Sequence, residues 1–128
     1  MSDHHGLFEP TIHVPLIYRC PSRLPKGKRV RGFVLQQDLT PTVLEILGYK
    51  GIARDFHADG KSAIPLMNEE RLANYPEFYI SENTWMRKRG WRTAEWKLIE
   101  VLEPDFHNKP SIELYNLIDD PKENCNLV

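Results

Sequence analysis

What most constrains this chain is that, before residue 50, it offers one strand-like run and one helix, with nothing to cover either. Thr11 to Arg19 (TIHVPLIYR) is rich in β-branched and aromatic residues and reads as a strand. Pro15 confines it to an edge, a bulge or a strand start, because proline donates no backbone hydrogen bond. Leu39 to Leu47 reads as a helix: Asp38 or Thr40 can cap it, Pro41 suits its first turn and Gly48 a left-handed stop. Val43, Leu44 and Leu47 then share a face. One strand and one helix cannot hide each other's apolar sides, since a stable layer needs a second layer packed on it. The first half therefore reads as a piece of something larger.

Cys20 to Arg31, with prolines, a glycine and several bases, is expected to be an exposed loop. Residues 49 to 77 carry no strong period, although Asp59-Gly60 marks a turn and Ala63 to Met67 can add a helical turn around Pro65. From Phe78 the pattern changes. Phe78 to Glu82, Met86 to Thr93, Trp96 to Leu102 and Ile112 to Leu117 are strand candidates separated by short polar or glycine-bearing breaks. That order predicts an antiparallel sheet, and Asp119-Asp120-Pro121 starts a closing turn or helix.

At 128 residues the chain is one ordinary domain at most. Hydrophobic residues at 41% and charged residues at 27% describe a globular composition. A net charge of −1 argues against a mainly electrostatic binder of nucleic acid or membrane. No apolar run approaches the roughly 18 residues of a membrane helix. Ser2-Asp3-His4-His5 directly after Met1 does not read as a signal peptide. Cys20 and Cys125 sit in no C-x-x-C pair and read as unpaired thiols, and the histidines show no zinc-site spacing.

Two constellations can carry chemistry. In Asp3-His4-His5-Gly6, an Asp-His pair beside glycine can ligate a hard metal and a histidine can act as acid or base, against the plainer reading of a chain end with no site. The second is basic. Arg19, Arg23, Lys26, Lys28, Arg29 and Arg31 fall in one acid-free stretch, while Arg87, Lys88, Arg89, Arg92 and Lys97 interleave with Trp85, Trp91 and Trp96. Such alternation suits a module that binds polyanions, sulfated glycans or nucleic acid. The near-zero net charge favours the competing expectation, with tryptophans in the core and bases on a solvated face.

In order along the chain, several segments resemble the C-terminal third of sulfatases of the alkaline phosphatase superfamily. They are His4-His5-Gly6-Leu7-Phe8-Glu9-Pro10-Thr11-Ile12-His13-Val14-Pro15-Leu16-Ile17, Pro25 to Val30, Asp38-Leu39-Thr40-Pro41-Thr42-Val43-Leu44-Glu45-Ile46-Leu47-Gly48, and Asp59-Gly60-Lys61-Ser62 with Pro65-Leu66. Trp96-Lys97-Leu98-Ile99 and Glu113-Leu114-Tyr115-Asn116-Leu117 follow, with Asp120-Pro121 and Asn126-Leu127.

The resemblance implies an α/β protein seen as an α+β fragment. Residues 1–74 would end the large α/β domain, and residues 75–128 would form a small antiparallel subdomain with a helix. It further implies a parent that hydrolyses small-molecule or glycan sulfate esters with a formylglycine nucleophile and a divalent cation, calcium foremost. Both would lie in a missing N-terminal domain, leaving this chain inactive alone. A phosphodiester or phosphonate-monoester hydrolase of the same superfamily is the sister activity. Cys20-Pro21-Ser22-Arg23 lacks one residue of the family's C-x-P-S-R, which leaves Cys20 a loop cysteine.

Measured back from Val14-Pro15-Leu16, His4 falls where the family usually has a sulfate-contacting lysine. It is expected to contact the sulfate or protonate the leaving alcohol, with His5 the one-residue-shifted alternative in substrate binding. Asp3 and His4 as metal ligands are the other register, and His13 is expected to be structural. The exposed apolar faces predict association with the parent's other part or with a second copy. The absence of an N-x-S/T acceptor favours a bacterial source, and compartment is not readable.

Overall fold

A computed structural model describes residues 6–55, 58–69, 73–84, 86–103 and 109–128. The helices are α1 (Glu9–Ile12), α2 (Leu39–Leu47), α3 (Lys50–Asp55) and α4 (Ile64–Met67), with a 3-10 turn at Gln36–Asp38 before α2. The strands are β1 (Glu77–Glu82), β2 (Lys88–Thr93), β3 (Trp96–Val101) and β4 (Ile112–Asn116). Helices together with a four-stranded antiparallel sheet make up the α+β content that was expected. Contacts divide the chain into two compact units: Ile17–Pro76, and the segment ending at Leu16 together with Glu77–Val128. Among the described residues, no helix is long and apolar enough to cross a membrane.

In the helical unit, Ala63, Leu66 and Met67 form the buried core, flanked by Tyr18, Leu24, Val30, Val34 and Ile64. Helix α2 has the bounds its sequence predicts and stops at Gly48 with φ 92, where Gly48 N–H bonds Glu45 O at 3.0 Å and Tyr49 N–H bonds Leu44 O at 2.8 Å. Its start differs from expectation, because no side chain caps it. The 3-10 turn runs directly into α2, so Asp38 is already helical and its carboxylate is committed elsewhere. The buried side is also not the apolar one: Pro41 and Thr42 are buried while Val43 and Leu47 are exposed. Helix α3 carries no period that could have revealed it.

The sheet is a meander in the order β1-β2-β3-β4, every neighbouring pair antiparallel. Each of the four strands predicted from Phe78 onward is present. The predicted strand over Thr11 to Arg19 is not: Glu9–Ile12 is a helical turn, and residues 13–19 have no regular structure. Pro10 suits the start of a helix, and a β-branched run forms a strand only against a ladder partner, which none of the described residues supplies. Its apolar side chains are left open, Ile17 at 87% exposure.

Candidate functional site

Strand alternation sends Lys88, Gly90 and Arg92 of β2 and Lys97 and Ile99 of β3 to the covered side of the sheet. Arg89, Trp91, Trp96 and Leu98 face the open side. The expected arrangement, tryptophans inside and bases solvated, is therefore reversed: Trp91 is 44% exposed and the Lys97 side chain not at all. Trp85 lies outside the described residues.

Carboxylates explain the reversal. A buried cation is tolerable only with anions and hydrogen-bond acceptors around it, and Glu9, Glu113 and Glu123 carry their carboxylates beneath this side. On the open side, Trp91 Nε1–H donates to Glu77 Oε2 at 3.0 Å, and the indole meets Tyr79 edge-on at 6.4 Å.

Lys97 is the hub. Its ammonium lies 2.8 Å from Glu9 Oε1 and 2.7 Å from Glu123 Oε1, and it donates to the Leu7 carbonyl at 3.0 Å. Those contacts match the three donors an ammonium has. Arg92 Nε–H donates to Glu9 Oε1 at 3.0 Å, and the Glu9 backbone N–H donates to Glu123 Oε2 at 2.6 Å. Glu123 reaches the cluster from a left-handed backbone, φ 56, which is uncommon for a residue with a side chain. Leu7, Ile99, Tyr115 and Leu117 form the apolar core beside it, with Phe8 and Ile80 packed against them. Tyr115 O–H donates to Glu113 Oε2 at 2.5 Å.

Burial pushes the Glu9 carboxyl up, but hydrogen bonds and charges from Lys97 and Arg92 outweigh it and hold the group below its ordinary value. A depressed carboxylate contributes stability above its unfolded value, about 4.3, and that contribution is lost as pH falls through the folded value. Tyr115 is pushed up, by burial first and then by its bond to Glu113, so its contribution is present below about pH 10 and lost as pH rises. Urea midpoints are expected to form a plateau between these limits. Glu9→Gln should flatten the acid limb; an acid limb unchanged in that variant would show that other carboxylates cause it.

The arrangement pairs Lys97 and Arg92 with Glu9 and Glu123 largely out of water, so its chemical capacity is to hold backbone in place. The backbone it holds is Leu7 to Glu9, directly after His4, His5 and Gly6. Asp3, His4 and His5 themselves lie outside the described residues. His13 follows α1, mostly exposed, with Nδ1 3.3 Å from Glu9 Oε2.

Cys20 and Cys125 are both free thiols. Cys20 sits at a turn, its carbonyl accepting from Arg23 N–H at 3.0 Å and Leu24 N–H at 2.8 Å, and no helix begins there to present a nucleophile. Among the described residues no group of three or more His, Cys, Asp or Glu side chains converges to hold a metal ion. The described residues thus form no site for a divalent cation and do not present Cys20 as a formylglycine precursor. Lys97 and Glu123 were missed as site-organising residues. The signal that could have found Lys97 is its placement, with Lys88 and Arg92, on one face once the strands are paired.

A protein-family model described as N-sulphoglucosamine sulphohydrolase, C-terminal, matches residues 1–128. Human Arylsulfatase D is 28% identical over 109 residues, a match covering 80% of this chain. The match takes in 18% of that protein's length, so the chain spans about a fifth of the curated relative.

Proposed function

Because the chain belongs to the N-sulphoglucosamine sulphohydrolase C-terminal family, we propose that it is the C-terminal part of a sulfatase that hydrolyses sulfate esters. The single observation carrying this reading is the family match from residue 1 to residue 128. In it, the nucleophile and the divalent cation belong to the parent's preceding domain, and this chain contributes the histidine segment. His4 would hydrogen-bond a sulfate oxygen or protonate the leaving alcohol, with His5 beside it in substrate binding. The open apolar residues Val14, Leu16 and Ile17 suit completion by that domain. The strand cluster gives the polyanion-binding alternative little support, because Lys88, Arg92 and Lys97 are buried and Arg87 and Arg89 are paired with Glu103 and Glu100.

Two assays test it. The chain alone should turn over no aryl sulfate above buffer, and turnover that survives purification and vanishes in His4→Ala would overturn the reading. In the full-length parent, His4→Ala should cost roughly a hundredfold or more in turnover. Full activity of that variant would remove His4 from the site, and a preference of the parent for phosphate esters would favour the sister activity.

A further inference from the structure

The net charge of −1 is the sum of two unequal parts. The helical unit, Ile17–Pro76, carries ten Lys and Arg against six Asp and Glu, a formal charge of +4. The sheet unit carries seven against twelve, a formal charge of −5. The positive charge is concentrated: from Pro10 to Gln37 there is no acidic residue, and six bases fall between Arg19 and Arg31. Two of the six are occupied, since Arg23 donates to the Ile46 carbonyl of α2 and Lys28 lies 2.7 Å from Glu69. Arg19, Lys26, Arg29 and Arg31 are exposed, and no described residue forms an ion pair or hydrogen bond with their side chains. The segment that bears them is tied down. Leu24 and Val30 pack against the core of Ala63, Leu66 and Met67, the Cys20 carbonyl closes a turn, and Gly27 at φ 64 bends the chain between Lys26 and Lys28. Four like charges on one anchored segment repel one another and contribute nothing to the fold.

We propose that the exposed bases of residues 19–31 form a docking surface for a linear sulfated polysaccharide. Three of the four open cations are arginines, whose planar fork meets two oxygens of a sulfate at once. Nucleic acid suits the segment less well. It has no aromatic side chain between Arg19 and Arg31 on which a base could stack, and no helix or strand to enter a groove. A sulfated polysaccharide requires neither, because its anions stand along the outside of the chain. The inference uses no residue of the histidine segment and does not rest on the sulfatase reading.

The test is a titration of the full 128-residue chain with heparin, chemically desulfated heparin and single-stranded DNA. With four contacts at a slope of about 0.7 each, heparin affinity is expected to fall about fiftyfold between about 50 and about 200 mM NaCl. Lys26→Gln/Arg29→Gln/Arg31→Gln should weaken binding about tenfold or more at the lower salt and cut the salt slope to about a quarter. Each single variant should remove about a quarter of the slope, a readout that stands even if the triple variant unfolds. Arg87→Gln/Arg89→Gln, which removes two bases already paired with Glu103 and Glu100, should stay within about twofold of wild type. No heparin binding at the lower salt, full affinity in the triple variant, or equal loss in the two sets of variants would each overturn the proposal. Affinity that survives desulfation, or tighter binding to the DNA, would overturn the assignment to sulfated polysaccharide. None of these readouts is sulfatase turnover, so the docking surface and the His4 assay can fail independently.

Discussion

Lys97→Met is expected to destabilise the sheet unit by about 3–5 kcal/mol, the usual cost of stranding the partners of a buried ion. Methionine approximates the lysine stem, so little volume is lost. What remains is electrostatic. Glu9 and Glu123 would lose the ammonium they share, at 2.8 Å and 2.7 Å, and the Leu7 carbonyl would lose its donor. Combining Lys97→Met with Glu123→Gln removes one charge of each sign and leaves Glu9 paired with Arg92, so the cost should shrink to about 1–2 kcal/mol of lost hydrogen bonding. Tryptophan fluorescence during urea unfolding reads this, since Trp91 and Trp96 both belong to the sheet unit. A single variant within about 0.5 kcal/mol of wild type, the range of surface substitutions, would refute the account. A double variant as unstable as the single one would move the cause to packing.

That experiment also explains which parts of the fold could be read from the sequence. The strands from Phe78 to Leu117 were legible because alternation and the breaks between strands are local properties of a few consecutive residues. Which face of each strand is buried was not legible. Whether Trp91 or Arg92 goes inside depends on Glu9, which lies 83 positions from Arg92. The run Thr11 to Arg19 failed for a related reason, because β propensity reports fitness for a ladder and not the presence of one. The candidate histidines stood out by residue type as metal ligands or acid–base groups, their sulfate role came from resemblance alone, and no periodicity pointed at them. Glu123 gave no local signal, since its role arises from a left-handed turn aimed at a lysine on β3.

In the helical unit, Asp38→Ala should cost about 3–5 kcal/mol, because the aspartate has no exposed surface and organises three separate segments. Its Oδ2 accepts from Leu35 N–H at 2.8 Å, and its Oδ1 accepts from Lys61 N–H and from Tyr75 O–H, both at 2.7 Å. Its backbone carbonyl accepts from Thr42 Oγ1 at 2.6 Å, and Thr42 Oγ1 in turn accepts from Ala63 N–H at 2.9 Å. Alanine keeps that carbonyl but leaves three donors unmet, at roughly 1–3 kcal/mol for each buried one. The segments pass too closely to compensate by shifting, since a Cβ on Gly60 would stand 2.0 Å from the Gln37 carbonyl oxygen. The costs should rank Tyr75→Phe, about 1 kcal/mol for one lost bond, below Asp38→Asn and that below Asp38→Ala. Asparagine retains one acceptor oxygen but turns an NH₂ toward a donor it cannot satisfy. No tryptophan lies in this unit, so exchange of the Gly48 and Tyr49 amides at the end of α2 is the measurement to make. If Asp38→Ala proves no costlier than Tyr75→Phe, the carboxylate is not the pin, and the unit is held by the core around Ala63, Leu66 and Met67 instead.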